Sequence, residues 1–571
     1  MRDVIDQFMF SYQRSFAGSI RIAAERIFEG IGTDVVPSIF LVGVVWPGTD
    51  TRHSACVEPE SGPWPQALFA GISAGLDTTY ESHPAQMMFY GDEPSMRDKP
   101  ENIRRAVVTE GVSRALEAVS AEQGVRSFVS AARKVGDYYV AVVLQAEVSL
   151  FAKFPPISYE GWSGGVREGS FILSCIYALF AEAERMLTLP EPGRFLRDGM
   201  RTSDEIVRQA AGSFMRIPFL PGQPNTADMF EEFNAISKLM YEGEKGRGRM
   251  ILARPDDPDI DYVVKLADPV SLRKTRWARK LLQMGKDDTS LVIGFESISG
   301  LARPKNPNAP LYSVDFLDQQ HWDFRRGSQI LLRTRFGEAK LPQEAIGDDR
   351  FIDNFNRIFP HAGDGAAERF RIVLDQFLEQ PHGSMLVVAS DAEAEATRLE
   401  RQGTRIEPAP LSPALIDRAS RIDGSILADP GGLCHAIGVI LDGPANDECT
   451  PSRGGRYNSA VRYVHNGSNG RLAFVISEDR TLDIIPLLRP RLSRAKLEEV
   501  IASLEAATTR NYHGPRNFLS GHRFYLDQGQ CDRVNAALTR LNAAALREGG
   551  IVLQSAPFTP DPGMNDEYLV A

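Results

Sequence analysis

The chain has 571 residues, too many for one ordinary hydrophobic core, and at about 150 residues per domain it should divide into roughly three or four. Apolar residues make up 43% and charged residues 24%, the balance of a globular protein rather than a disordered or fibrous one. A net charge of −11 opposes a phosphate backbone, so nucleic acid is not an expected partner, while a local basic pocket for a small nucleotide stays compatible with it.

Met1 to Phe10 lacks a basic stretch followed by an apolar run, and the longest apolar stretch, Phe171 to Ala181, is too short to span a bilayer. The expectation is a cytoplasmic protein without a membrane partner. Cys56, Cys175, Cys434, Cys449 and Cys531 form no CxxC pair and the nine histidines no HxxxH pair, so neither a disulfide framework nor a built-in transition-metal site is expected.

A first α/β unit covers residues 1–200. Ile39 to Trp46 is short, apolar and β-branched, closed by Pro47-Gly48, and reads as a buried strand, as does Tyr138 to Val148. Helices are expected at Glu101 to Val119 and Phe171 to Leu187. Two motifs here are set aside. Thr51-Arg52-His53-Ser54-Ala55 follows its strand directly with no Asp-Gly triplet upstream, and Gly161-Trp162-Ser163-Gly164-Gly165 matches a nucleophile elbow but has no strand before it and is read as a loop.

A second α/β unit covers residues 201–360, with a helix at Met229 to Tyr241, strands at Arg249 to Ala253 and Tyr262 to Leu266, a turn at Asp268-Pro269 and a basic amphipathic helix at Leu272 to Met284. Arg303 to Pro310 is a proline-rich loop, and Pro360 to Gly365 the expected boundary with the next unit.

The third unit, residues 365–490, opens with a helix at Arg369 to Leu378 and a buried strand at Met385 to Ala389, followed by a helix at Pro413 to Arg421 and strands at Ser425 to Ala428 and Leu472 to Ser477. The expected fold is a mixed β-sheet flanked by helices. A helical extension, residues 491–571, has helices at Ser493 to Ala507 and Cys531 to Arg547. The order helix, glycine, apolar strand occurs twice, at Ile236 to Ala253 and at Ile372 to Ala389, a faint internal echo.

Two segments of the third unit carry a functional pattern. Asp423-Gly424-Ser425 stands at a helix-to-strand junction, and Gly454-Gly455-Arg456-Tyr457-Asn458-Ser459-Ala460 opens a helix about thirty residues later, before the strand that ends at Ser477-Glu478. This order resembles the diadenylate cyclase domain, whose signatures are a DGA triplet and a GTRHRAA segment; the resemblance covers about a fifth of the chain. Serine replaces the alanine of the first signature; in the second, Gly455 replaces threonine, Tyr457 histidine and Asn458 an arginine.

The resemblance implies an enzyme that joins two ATP molecules into cyclic di-AMP as a homodimer or higher homo-oligomer, with Mg²⁺ or Mn²⁺ as cofactor. Asp423 and Gly424 would be its catalytic residues, Asp423 also the metal ligand. Ser425, Gly454, Gly455, Arg456, Tyr457, Asn458 and Ser459 would contact nucleotide and phosphate through backbone N–H groups, a helix N-terminus and a permanently charged guanidinium. Arg453 and Arg462 are candidates to replace the missing arginine. The alternative implied by the substitutions is a non-catalytic domain that binds ATP or a cyclic dinucleotide and reports on it.

Asp429, Asp442 and Asp447 read as loop residues, and His382 and His435 as histidines satisfied at strand borders. In the second unit, Tyr241-Glu242-Gly243, Asp268-Pro269-Val270, Trp277 to Leu282 and Ser299-Gly300-Leu301 are similar to the accessory region, regarded as a sensor, that precedes some bacterial cyclase domains of this type. A purely supporting role in packing and dimerisation is the alternative.

Overall fold

A computed structural model describes residues 6–570, except residues 34, 61, 63, 161–164, 195–198, 220–227, 242–245, 287, 295, 307–308, 343–345, 379, 381–382, 447, 451–453, 468, 478–481, 509–511 and 548–556. Outside the described residues lie Gly161 to Gly164, His382, Asp447, Arg453, Glu478 and the Glu242-Gly243 pair. By internal contacts the chain forms two compact units, one of residues 2–342 and one of residues 343–571.

In the first unit, strand Ser38–Val45 pairs antiparallel with Ala55–Glu58 and with Tyr138–Glu147, which also carries Val125–Val129 and Arg133–Val135. Alternation places Ile39 and Leu41 in one core with helices Gln13–Gly30 and Phe171–Leu187, and Phe40, Val42 and Val44 in another with helix Glu93–Ser120. That last helix begins eight residues earlier than the expected Glu101, because Asp92 caps it by accepting from Ser95 N and Pro94 sits in its first turn, where a missing N–H costs nothing.

An eight-stranded sheet follows, in the order Glu338–Lys340, Gln329–Arg335, His321–Arg326, Tyr312–Asp318, Gly248–Leu252, Ser290–Gly294, Ser297–Pro304, Ile260–Ser271. Asp268-Pro269 is not the expected turn: the edge strand Ile260–Ser271 runs through it. A bulge opposite Ser299, between the Ile298↔Val270 and Gly300↔Lys265 pairs, absorbs the extra residues, and an edge is where a sheet tolerates proline. The helix expected at Leu272 to Met284 is shorter, Thr275–Leu282.

The second unit holds a six-stranded sheet in the order Thr404–Pro410, Leu433–Val439, Ser425–Ala428, Ser384–Ala389, Arg471–Ile476, Leu482–Ile485. Only Ser384–Ala389 and Ser425–Ala428 run parallel. Leu386 and Val388 face helices Asp348–Ile358, Ala366–Leu378 and Pro413–Ala419; Met385, Val387 and Ala389 face helices Ala392–Arg398 and Gly455–His465. Phe351 and Phe355 pack with Phe370 and Phe474, so residues 348–358, which the sequence places within the preceding unit, form a helix of this core. Helices Arg494–Ala506, His513–Gly521 and Gln528–Arg547 form a separate small core beyond the sheet.

The faint sequence echo corresponds to a repeated topology. Taken in chain order, the six strands from Gly248–Leu252 to His321–Arg326 occupy the same sheet positions, with the same parallel and antiparallel pairings, as the six from Ser384–Ala389 to Leu482–Ile485.

Candidate functional site

Asp423 and Gly424 lie in the connection between helix Pro413–Ala419 and strand Ser425–Ala428. Gly424 has φ +111°, and a Cβ there would stand 2.5 Å from the carbonyl carbon of Gly438 and 2.8 Å from its oxygen. The glycine is therefore required by the neighbouring strand itself, a reason independent of any ligand. Gly438 answers it, with φ +62° and Ile422 Cγ2 2.8 Å from where its own Cβ would be. The sequence reading missed this second glycine; its signal was a glycine inside an apolar β run.

With the backbone so fixed, the Asp423 side chain projects into solvent, 90% exposed, accepting among the described residues a local bond from Gly424 N at 3.1 Å. Ser425 does not join it. Its hydroxyl is buried in the sheet and donates to the Val439 carbonyl at 3.0 Å, so the expected phosphate contact is replaced by a link between adjacent strands.

Helix Gly455–His465 is held on the sheet by Ala460, Val461, Tyr463 and Val464. Among the described residues no side chain caps its N-terminus at Gly454, and a Cβ at Gly454 or Gly455 would meet nothing within 4 Å. From this first turn Arg456 reaches back so that its Nη2 lies 3.9 Å from Asp423 Oδ1. Two residues 33 positions apart, one from each signature, thus meet at the end of the sheet where strand Ser425–Ala428 begins.

The remaining residues of the second segment turn elsewhere. Tyr457 is half-buried against the helix-side core. Asn458, in place of an arginine, clamps the preceding loop: its Oδ1 accepts from Thr450 N and its Nδ2 donates to Thr450 O, both at 3.0 Å. Arg462 folds back on its own helix, donating to the Asn458 carbonyl at 3.1 Å and to Ser459 Oγ at 3.4 Å.

Behind the helix, Tyr463 Oη donates to Glu395 Oε2 at 2.8 Å, and Arg471 and Arg398 also bind that carboxylate. Burial by itself would raise the Glu395 carboxyl, but Arg398, Tyr463 and Arg471 outweigh it and hold the group below the usual carboxylate range. This network ties the helix carrying Arg456 to helix Ala392–Arg398 and strand Arg471–Ile476.

At the opposite end of the parallel strands, His435 is 7% exposed and hydrogen-bonded to Asp429 at 3.0 Å, a satisfied histidine. Ser390 nearby donates to the Gly470 carbonyl. Among the described residues no group of three or more His, Cys, Asp or Glu could hold a metal ion, and no helix is long and apolar enough to cross a membrane.

No curated protein matches the chain. A solved structure of a double mutant of DacA from Staphylococcus aureus aligns over 27% of this chain and 95% of its own at 15% identity, with a TM-score of 0.17, too slight a likeness to carry an argument. Residues 9–215 match a family described as "Probable sensor domain DACNG" and residues 227–327 one described as "Probable sensor domain DACNH", so that the first compact unit is made largely of two regions similar to sensor domains.

Proposed function

We propose that residues 365–490 form a diadenylate-cyclase-like domain that joins two ATP molecules into cyclic di-AMP under control of the sensor-like regions before it. The observation that carries this reading is the convergence of Asp423 and Arg456, 3.9 Å apart, at the start of strand Ser425–Ala428 and in the first turn of helix Gly455–His465. Support comes from the two family matches, whose names are associated with diadenylate cyclase N-terminal regions.

In this reading Arg456 and the first-turn N–H groups bind the polyphosphate of one nucleotide, the guanidinium as a fixed charge and the helix end as an anion site. Asp423 lies beside the ribose, where its carboxylate orients the 3′-hydroxyl and favours loss of its proton. That oxygen attacks the α-phosphate of a nucleotide held by a second domain, and pyrophosphate departs; two such steps close the ring and release two pyrophosphates. One exposed carboxylate is a poor metal cage but fits Mg²⁺ or Mn²⁺ arriving with the triphosphate, since such ions keep phosphate oxygens and water as most of their ligands. The ion would supply charge neutralisation on the phosphates.

Purified protein with ATP and Mn²⁺ should yield cyclic di-AMP, and Asp423→Asn should abolish it while leaving thermal unfolding unchanged, because asparagine keeps the bond from Gly424 N and the side chain is exposed. A second reading, binding without turnover, is favoured by one feature: Asn458 is engaged with Thr450, so the expected second guanidinium has no substitute from that position. Saturable ATP binding with neither cyclic nor linear dinucleotide formed would select it.

A further inference from the structure

Thr51-Arg52-His53, set aside on sequence grounds, lines a recess of about 610 Å³ in the first compact unit, within the size range of small-molecule sites. Its lining is mixed: Phe8, 53% exposed, and Pro190 present apolar surface beside Asp6, Arg52, His53, Asp137 and Glu191. Burial pushes the Tyr138 hydroxyl up to about 12, so it stays a neutral donor, and it donates to the His53 carbonyl at 3.0 Å, fixing the loop.

The carboxylate of Asp6 occupies the polar corner of this recess. Its Oδ1 lies 2.6 Å from Arg52 Nη1 and its Oδ2 3.5 Å from His53 Nε2. The imidazole nitrogen is sheltered from solvent yet makes no hydrogen bond of proper geometry. Asp6 is delivered by a strap of residues tied down just beyond it: Gln7 Oε1 accepts from Val57 N at 2.8 Å, and Met9 seats so closely over Gly43 that a Cβ there would stand 2.3 Å from its sulfur.

We infer that this recess binds a small organic monocarboxylate with an apolar body, and that Asp6 is a built-in competitor standing where the ligand's carboxylate would go. Arg52 and His53 supply two donors converging on one carboxylate, and the exposed ring of Phe8 with Pro190 supplies apolar surface for the rest of the molecule. A polyphosphate is disfavoured, because Asp137 and Glu191 also line the recess and would repel a second and third negative charge. The inference rests on this geometry and not on the cyclase reading, so it stands or falls without any measurement of turnover.

The test uses the full chain in calorimetric titrations with 3-phenylpropionate, its amide, acetate and inorganic phosphate. Phenylpropionate should bind saturably, and the amide and phosphate should not. Arg52→Ala should weaken binding by at least about tenfold, the scale of one charge-assisted contact. Asp6→Asn should tighten it by about two- to fivefold, the range of an exposed ion pair removed from competition. Absence of phenylpropionate binding, equal binding of acid and amide, or weaker binding in Asp6→Asn would each overturn the inference.

Discussion

Gly424 and Gly455 look equivalent in the sequence, each a glycine next to a charged residue of a signature, but their surroundings separate fold from ligand. A methyl on Gly424 meets the Gly438 carbonyl and is strained by φ +111°, whereas one on Gly455 meets nothing within 4 Å. Positive-φ strain and overpacking each cost about 1–3 kcal/mol, so Gly424→Ala should destabilise the second unit by about 3 kcal/mol. Gly455→Ala should leave stability equal or raise it by up to about 1 kcal/mol, because alanine is the better helix former, while weakening nucleotide binding. Parallel thermal unfolding and ATP titration of the two variants check this; equal stability losses would contradict it. Asp423 and Arg456 were legible in the sequence because each sits at a junction with its own local signature. The role of Asn458 was not, since it depends on where the loop at Thr450 returns, which no local pattern records.

At the scale of elements, the position of Arg456 depends on how firmly helix Gly455–His465 is fixed, and Glu395 is the centre of that attachment. The Glu395 carboxyl is held below its unfolded value near 4.3, so its ionised form stabilises the fold fully above that pH, and the stabilisation is lost as pH falls through the lower, folded value. Unfolding midpoints measured between about pH 6 and pH 3 should therefore fall on the acid side, and Glu395→Gln should flatten that limb. Glu395→Ala, which strips buried Arg471 and Tyr463 of their shared partner, should cost about 3 kcal/mol. Elements with a strong internal signature were legible from sequence: helix Phe171–Leu187 and strand Ser425–Ala428 have the expected bounds. The strands from Tyr312 to Lys340 were not, because His321-Trp322-Asp323-Phe324-Arg325-Arg326 mixes charges into its core-facing alternation. Asp323 is buried there only because Arg333 and Arg335 meet it from the neighbouring strand, a pairing that sequence-local reasoning does not reach.

At the scale of the whole molecule, one sheet topology occurs twice but only one copy carries the site. Asp288 stands two residues before strand Ser290–Gly294, as Asp423 stands before Ser425–Ala428, but it is paired with Arg303 at 2.9 Å. Residues 305–311 join the strands Ser297–Pro304 and Tyr312–Asp318, too short a link for the 11-residue helix that presents Arg456 in the other copy. One chain therefore has one candidate nucleotide site, and titration should give one ATP per chain. A cyclic dinucleotide with two equivalent links needs two nucleotides in opposite orientation with reacting atoms about 3–3.5 Å apart, so the proposed cyclase activity would require two chains to meet through their Asp423 and Arg456 faces. Specific activity should rise with protein concentration where the dimer is incomplete. Adding an equal amount of Asp423→Asn protein to saturated wild type should lower activity per wild-type chain to about half, the outcome of random pairing into mixed, inactive dimers. A demonstrated monomer turning over ATP at a concentration-independent rate, or two ATP bound per chain, would refute the two-chain requirement.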